Sequence, residues 1–203
     1  MAAAHIFFMA SAARTGRVNV SPRPADALRV LDDRTVAYLD LTGSGNETAA
    51  HILAGGRLTM MVCAFEGPPV ILRLYGSGRT LLRNTPEYAA MLEAHFASVE
   101  APGARQIVRL DVDLVQTSCG YGVPLFAYQG ERTTLRRWAE HQGESELENY
   151  RLKKNVRSID GFPAEVSAAL RRHHGVHRVA HHEHGHGRGT NDIFRNAADE
   201  EAP

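Results

Sequence analysis

The chain has 203 residues, and its 23 Lys and Arg balance 23 Asp and Glu, so the formal net charge is zero. This excludes a nucleic-acid binder that works through an overall basic field. With 43% hydrophobic and 23% charged residues, the composition is that of a globular chain able to bury a core. No apolar run approaches the roughly 20 residues that span a bilayer, so no membrane partner is expected.

The first residues, MAAAHIFFMASAAR, are small and apolar but lack a basic stretch. They continue directly into strand-like sequence and read as a first strand rather than a signal peptide. Short β-branched and aromatic runs separated by Gly, Pro, Asn and Asp predict strands at Ile6 to Ala10, Arg17 to Ser21, Thr35 to Leu41, Leu58 to Phe65, Val70 to Leu82 and Arg105 to Thr117. In the last of these, Ile107, Val108, Leu110, Val112, Leu114 and Val115 interleave with Arg109, Asp111, Asp113 and Gln116, which predicts one wet face and one core face.

A first helix is predicted from Glu47 to Ala54, stopping at Gly55-Gly56. A second opens at Thr85-Pro86 and carries Tyr88, Met91, Leu92, Phe96 and Val99 on one stripe. Six strands with two intervening helices cannot supply a crossover for every parallel pair. The predicted fold is therefore mainly β, of the α+β class: a six-stranded antiparallel barrel, closed or partly closed, with flanking helices.

Beyond Pro124 the sequence becomes charged and helical over 131–142 and 144–156, with a further short helix expected over 164–172. Seven of the eleven histidines lie between His173 and His186, in a Gly- and Arg-rich tail expected to lack a packed core. Such a tail binds metal adventitiously; no built metal site is predicted. The chain thus divides into a barrel (1–128), a helical extension (129–172) and a tail (173–203). Cys63 and Cys119 form neither a metal spacing nor a disulfide framework, which fits a reducing cytoplasm.

Four segments could carry chemistry. In Leu41-Thr42-Gly43-Ser44-Gly45-Asn46-Glu47-Thr48 a strand runs into a loop of small residues that enters a helix. Free N–H groups there, beside Thr42, Ser44, Asn46 and Thr48, can bind a phosphate. The alternative is a simple turn in which Ser44 or Asn46 caps the helix. Glu47 beside an anion is repulsive unless it points away. Alternation in Arg17-Val18-Asn19-Val20-Ser21-Pro22-Arg23 puts Asn19 and Ser21 on one face, able to read the edge of a heterocycle or simply to meet solvent. Arg73, in an otherwise apolar strand, needs a route to solvent or an anionic partner: a ligand phosphate, Asp40 or Glu66. Thr117 to Pro124 breaks into a Gly-flanked aromatic turn, and no base is evident that would make Cys119 a nucleophile.

Taken together, HIFFMASA, the run from Gly16 to Leu81, VQTSCGYGVPLFAYQGER and KKNVRSIDGFP resemble the pyridoxamine 5'-phosphate oxidase-like family, over residues 5 to 163. The resemblance implies an FMN-binding split β-barrel that works as a homodimer, with each flavin in a groove at the subunit interface. By position, Asn19, Ser21 and Arg23 would face the isoalloxazine edge, and Thr42, Ser44, Asn46 and Thr48 the ribityl phosphate. Arg73 matches the arginine of the family's long hairpin strand. Where the family's loop usually carries Arg or Lys next to Ser, this chain has Glu47 and Thr48, so phosphate affinity must come from amides, hydroxyls and Arg23. The tryptophan and arginine motif that holds pyridoxal substrate has no counterpart near Trp138. The implied activity is electron transfer between FMN and a small molecule, with no catalytic acid or base assigned. The alternatives are a deazaflavin-dependent reductase of the same fold or a non-catalytic flavin-binding module.

Overall fold

A computed structural model describes residues 4–166. The tail and residues 167–172 of the helix expected over 164–172 lie outside the described residues, and 164–166 are not helical. Seven strands, not six, form one antiparallel sheet: β1 (Ile6–Ala12), β2 (Asn19–Pro24), β3 (Leu28–Asp32), β4 (Thr35–Leu41), β5 (Arg57–Cys63), β6 (Val70–Leu82) and β7 (Ala104–Cys119), in the order β2-β1-β5-β6-β7-β4-β3. The additional strand, β3, is a short edge strand whose signal is masked by Pro24 before it and Asp32-Asp33 after it. β2 is the other edge, which is where Pro22 and Pro24 are tolerated, since an edge strand can spare an N–H.

The two edge strands are consecutive in the chain, joined only by one 3-10 turn at Ala25–Ala27. The sheet must therefore curl until its edges face each other, which makes a split barrel. Inside it pack Phe7, Met9, Tyr38, Leu58, Met60 and Leu110, all nearly inaccessible to solvent. Burying each such side chain contributes about 1.5–3 kcal/mol.

A second core forms on the outer face, where Ala37, Leu39, Leu81 and Ile107 meet Tyr88 and Phe96. These aromatics come from helix α2 (Pro86–His95) and the residue that ends it. Val99, expected on the same stripe, instead lies past the helix end and is exposed. Because both faces of the inner half of β7 are covered, residues 104–108 are all buried, while 113–117 are exposed. That overturns the single wet face expected along this strand. The register shifts at Gly76, where a Cβ would stand 1.9 Å from the Asp111 carbonyl oxygen, so only glycine fits the bulge.

Helix α1 (Glu47–Leu53) follows β4 and stops at Gly55, whose φ is 71°. Helix α3 (Thr134–Lys154) is broken by Gly143 at φ 72°, so the two helical stretches expected on either side are one kinked element. No described helix is long and apolar enough to cross a membrane.

Candidate functional site

Strand alternation turns Asn19, Ser21 and Arg23 inward and Val20 and Pro22 outward. Ser21 Oγ donates to Asn19 Oδ1 at 3.3 Å, and Asn19 Nδ2 reaches Ser11 Oγ at 3.4 Å and Thr48 Oγ1 at 3.5 Å. These are long bonds that a better acceptor could replace. Ser11 Oγ also lies 2.9 Å from Nδ1 of the buried His51.

Arg23 crosses the open side of the barrel to Asp40, with Nη1 2.9 Å from Oδ1, and lies 5.6 Å from the Tyr38 ring centroid. Asp40, only 2% exposed, also accepts from Arg105 Nε at 2.8 Å and Gln106 Nε2 at 2.7 Å. Burial opposes its charge, but Arg105 and Arg23, with the bonds from Arg105 and Gln106, hold the carboxyl below its ordinary pKa. One carboxylate therefore serves two guanidinium groups. Arg23 Nε, Tyr38 Oη and Asp40 Oδ1 are buried without a well-directed hydrogen bond. Burial raises the Tyr38 hydroxyl to a pKa of about 12.

The β4–α1 loop is built differently from the sequence expectation. Thr42 and Asn46 point into the protein. Thr42 Oγ1 donates to the Gly103 carbonyl and accepts from Arg151 Nε, each at 2.8 Å. Asn46 Oδ1 accepts from Gln106 Nε2 at 2.8 Å, and its Nδ2 donates to the Asn155 carbonyl at 3.3 Å. Both side chains are thus committed to internal partners rather than turned toward a ligand. Asn46 does not cap α1 either. Thr48 is buried beneath Asn19, and Ser44 alone of the four is exposed. The Glu47 carboxylate accepts from the Ile159 N–H at 3.0 Å and stays beside Gly45, where a Cβ would meet its Oε1 at 3.6 Å.

Two loop carbonyls face inward as well: Gly43 O accepts from Asn155 Nδ2 at 3.0 Å and Gly45 O from Arg105 Nη1 at 2.8 Å. A trans peptide aims its C=O and the next N–H in opposite directions. The N–H groups of Ser44 and Asn46 therefore face away from those buried partners. Among the described residues, the backbone N–H groups of Gly43, Ser44, Gly45 and Asn46 make no hydrogen bond. Successive free N–H groups of this kind form a concavity suited to an anion.

Arg73 is partnered by neither Asp40 nor Glu66: its Nη1 donates to Ser118 Oγ at 3.0 Å. It pairs with Gln116 on β7, ten residues along that strand from Gln106, and through Met61 and Phe8 it is level with Pro22 of β2, three strands across the sheet at about 4.8 Å each. The site residues missed by sequence reasoning are Arg105, Gln106, Arg151 and Asn155, all at most 4% exposed. Their only sequence signal is a polar side chain at a position that the fold covers. Among the described residues, no cluster of His, Cys, Asp or Glu could hold a metal.

Arg23 also opens onto a groove of about 1140 Å³, lined by Pro24, Leu39, Leu41, Phe65 and Phe126 among others. That volume suits a small organic ligand with a polar anchor.

Residues 1–119 match the family model for pyridoxamine 5'-phosphate oxidase. A curated relative, the pyridoxamine 5'-phosphate oxidase family protein ustO of Aspergillus flavus, is 38% identical over 179 residues, spanning 80% of this chain and 72% of the relative. Among solved structures, HupZ of Group A Streptococcus aligns at 18% identity and a TM-score of 0.47, covering 56% of this chain and 90% of that one. A pyridoxamine 5'-phosphate oxidase-related, FMN-binding protein of Nostoc punctiforme aligns at 13% identity and a TM-score of 0.44, over 59% and 76% of the two chains. The heme storage protein HutZ of Vibrio cholerae aligns at 14% and 0.41, over 58% and 87%. On the family model and the curated relative, together with the split barrel itself, this chain belongs to the pyridoxamine 5'-phosphate oxidase family.

Proposed function

We propose that the chain is an FMN-binding flavoprotein, an oxidoreductase acting on a small molecule, which works in the cytoplasm as a homodimer. The observation that carries this reading is the conjunction of two half-sites. The inward face of β2 presents Asn19, Ser21 and Arg23 with loosely made or missing bonds. The β4–α1 loop presents free N–H groups and the exposed Ser44. The orphaned Arg23 Nε and Tyr38 Oη fit a polar heterocycle edge, and the loop amides fit a phosphate.

In this reading Asn19 and Ser21 meet the flavin ring and Arg23 supplies positive charge beside it. Ser44 and the N–H groups of Ser44 and Asn46 take the phosphate, and Thr42, Asn46 and Thr48 shape the loop through their side chains. A bound flavin supplies hydride and electron transfer by itself, so the protein's task is to bind, orient and tune it. Arg73, on the β6–β7 arm three strands across from Pro22, bonds Ser118 and in this reading meets the flavin of a second copy. Leu114 at 57% and Val115 at 54% exposure on the same arm supply apolar surface for that second copy.

A visible spectrum of the purified untagged protein, before and after FMN is added, tests the proposal. Flavin bands that bleach with a nicotinamide donor support the oxidoreductase. Bound flavin that no donor reduces favours a non-catalytic module, and binding of deazaflavin without FMN favours a deazaflavin-dependent reductase. Failure to retain either coenzyme at saturating concentration contradicts a flavin function of any kind.

A further inference from the structure

The C-terminal extension grips the β4–α1 loop from behind, and nothing in the family resemblance assigns it that role. Three buried side chains make the grip, Arg151 and Asn155 from the extension and Arg105 from β7. Arg151 Nε bonds Thr42 Oγ1 at 2.8 Å, while its Nη2 bonds the Ala104 carbonyl at 3.1 Å. Asn155 Nδ2 bonds the Gly43 carbonyl at 3.0 Å, its Oδ1 accepts from Arg105 Nη1 at 2.8 Å, and its own carbonyl accepts from Asn46 Nδ2 at 3.3 Å. Arg105 Nη1 completes the set at the Gly45 carbonyl. Arg151 is 4% exposed and Asn155 0%.

These bonds decide which way the loop peptides face. Drawing the Gly43 and Gly45 carbonyls inward turns the Ser44 and Asn46 N–H groups away from those carbonyls' partners, because the intervening peptides are planar and trans. The loop has no Lys or Arg of its own between Thr42 and Thr48. Two guanidinium groups stand behind it instead, Arg105 sharing Asp40 with Arg23, and Arg151 paired to Glu144 at 2.8 Å.

We propose that Arg151 and Asn155 are positioning residues for the cofactor phosphate: α3 and the residue that follows it set the orientation of the loop amides and thereby the preference for a phosphorylated flavin. This rests on the phosphate placement proposed above. It assigns to residues 134–155 a role in cofactor selection, over and above packing.

The test compares FMN with riboflavin, which lacks the phosphate, in the full-length protein. Dissociation constants are measured by flavin fluorescence for the wild type and for Asn155→Ala, with Arg151→Met as a second variant and hydrogen exchange followed at Thr42 and Ala50. The expected result is that Asn155→Ala weakens FMN about tenfold, leaves riboflavin within about twofold, and speeds exchange at Thr42 and Ala50, whose N–H groups bond the Gly103 and Asn46 carbonyls at the two ends of the loop. Equal weakening of both flavins, or an unchanged FMN to riboflavin ratio with unchanged exchange, overturns the proposal. If the wild type itself does not prefer FMN to riboflavin, the phosphate placement fails. Hydrogen exchange then decides the grip alone: faster exchange in Asn155→Ala upholds it and unchanged exchange removes it. Should Arg151→Met fail to fold, Asn155→Ala carries the test.

Discussion

Arg23 and Asp40 meet at 2.9 Å across the open side of the split barrel, tying edge strand β2 to β4. The carboxylate is also the counter-ion of Arg105. Asp40→Asn leaves two guanidinium groups with no carboxylate between them, one of them on Arg105, which is 4% exposed. The expected loss is about 3–5 kcal/mol of unfolding free energy in urea, the usual cost of breaking a buried pair from one side. Arg23→Gln is milder, since Asp40 keeps Arg105 and Gln106.

The same carboxylate gives the acid limb of stability a defined sign. Although burial opposes its charge, Arg105 and Arg23 depress the Asp40 pKa in the folded protein below its unfolded value of about 3.9. Its contribution is therefore fully present above that unfolded value and is lost as pH falls through the folded one. Acid titration followed by far-UV circular dichroism should place unfolding below about pH 4, and Arg105→Met should move the midpoint upward. An unmoved midpoint in Arg105→Met would show that other carboxylates govern the limb.

Thr42→Val and Asn46→Ala should act on stability first. The former strands Arg151 Nε, while the Gly103 carbonyl keeps the Thr42 N–H; the latter takes one of the two acceptors of Gln106 Nε2, which keeps Asp40, and the Asn46 donor to the Asn155 carbonyl. Each is expected to lose about 1–3 kcal/mol, the cost of a buried polar group without its partner, measured by urea denaturation. Loss of flavin affinity with unchanged stability in either variant would mean that these side chains contact the ligand directly.

Asn19→Ala and Ser21→Ala should show the opposite pattern. Their bonds within the protein are 3.3–3.5 Å long and contribute little to the fold. Thermal midpoints should stay close to the wild type, while flavin affinity falls by about 0.5–1.5 kcal/mol for each hydrogen bond removed.

Leu114→Lys together with Val115→Glu tests the arm as the contact between two copies. Sedimentation velocity should give a dimer for the wild type and a monomer for the double variant. A wild-type monomer at micromolar concentration would remove the dimer from the account.

The barrel was legible in the sequence because its strands are long or sharply bounded. Val70–Leu82 is copied residue for residue, and α1 begins where the loop glycines end. β3 was not legible, being five residues squeezed between a proline turn and two aspartates. The inward face of β2 followed from alternation alone, which is a local rule. The interior of the loop did not: Thr42 and Arg151 are 109 residues apart, and no local pattern says that an arginine on a charged helix will be buried against a threonine hydroxyl. Arg105 and Gln106 carry no signal of their own because the sequence does not reveal that both faces of the inner half of β7 are covered.

A crystal structure grown with excess FMN tests the central claim most directly. The flavin ring is expected against Asn19, Ser21 and Arg23, and the phosphate on Ser44 and the N–H groups of Ser44 and Asn46, with Asn155 and Arg151 still on the loop's inner side. A flavin bound elsewhere, or a loop whose amides face only water while FMN saturates the solution, would contradict it.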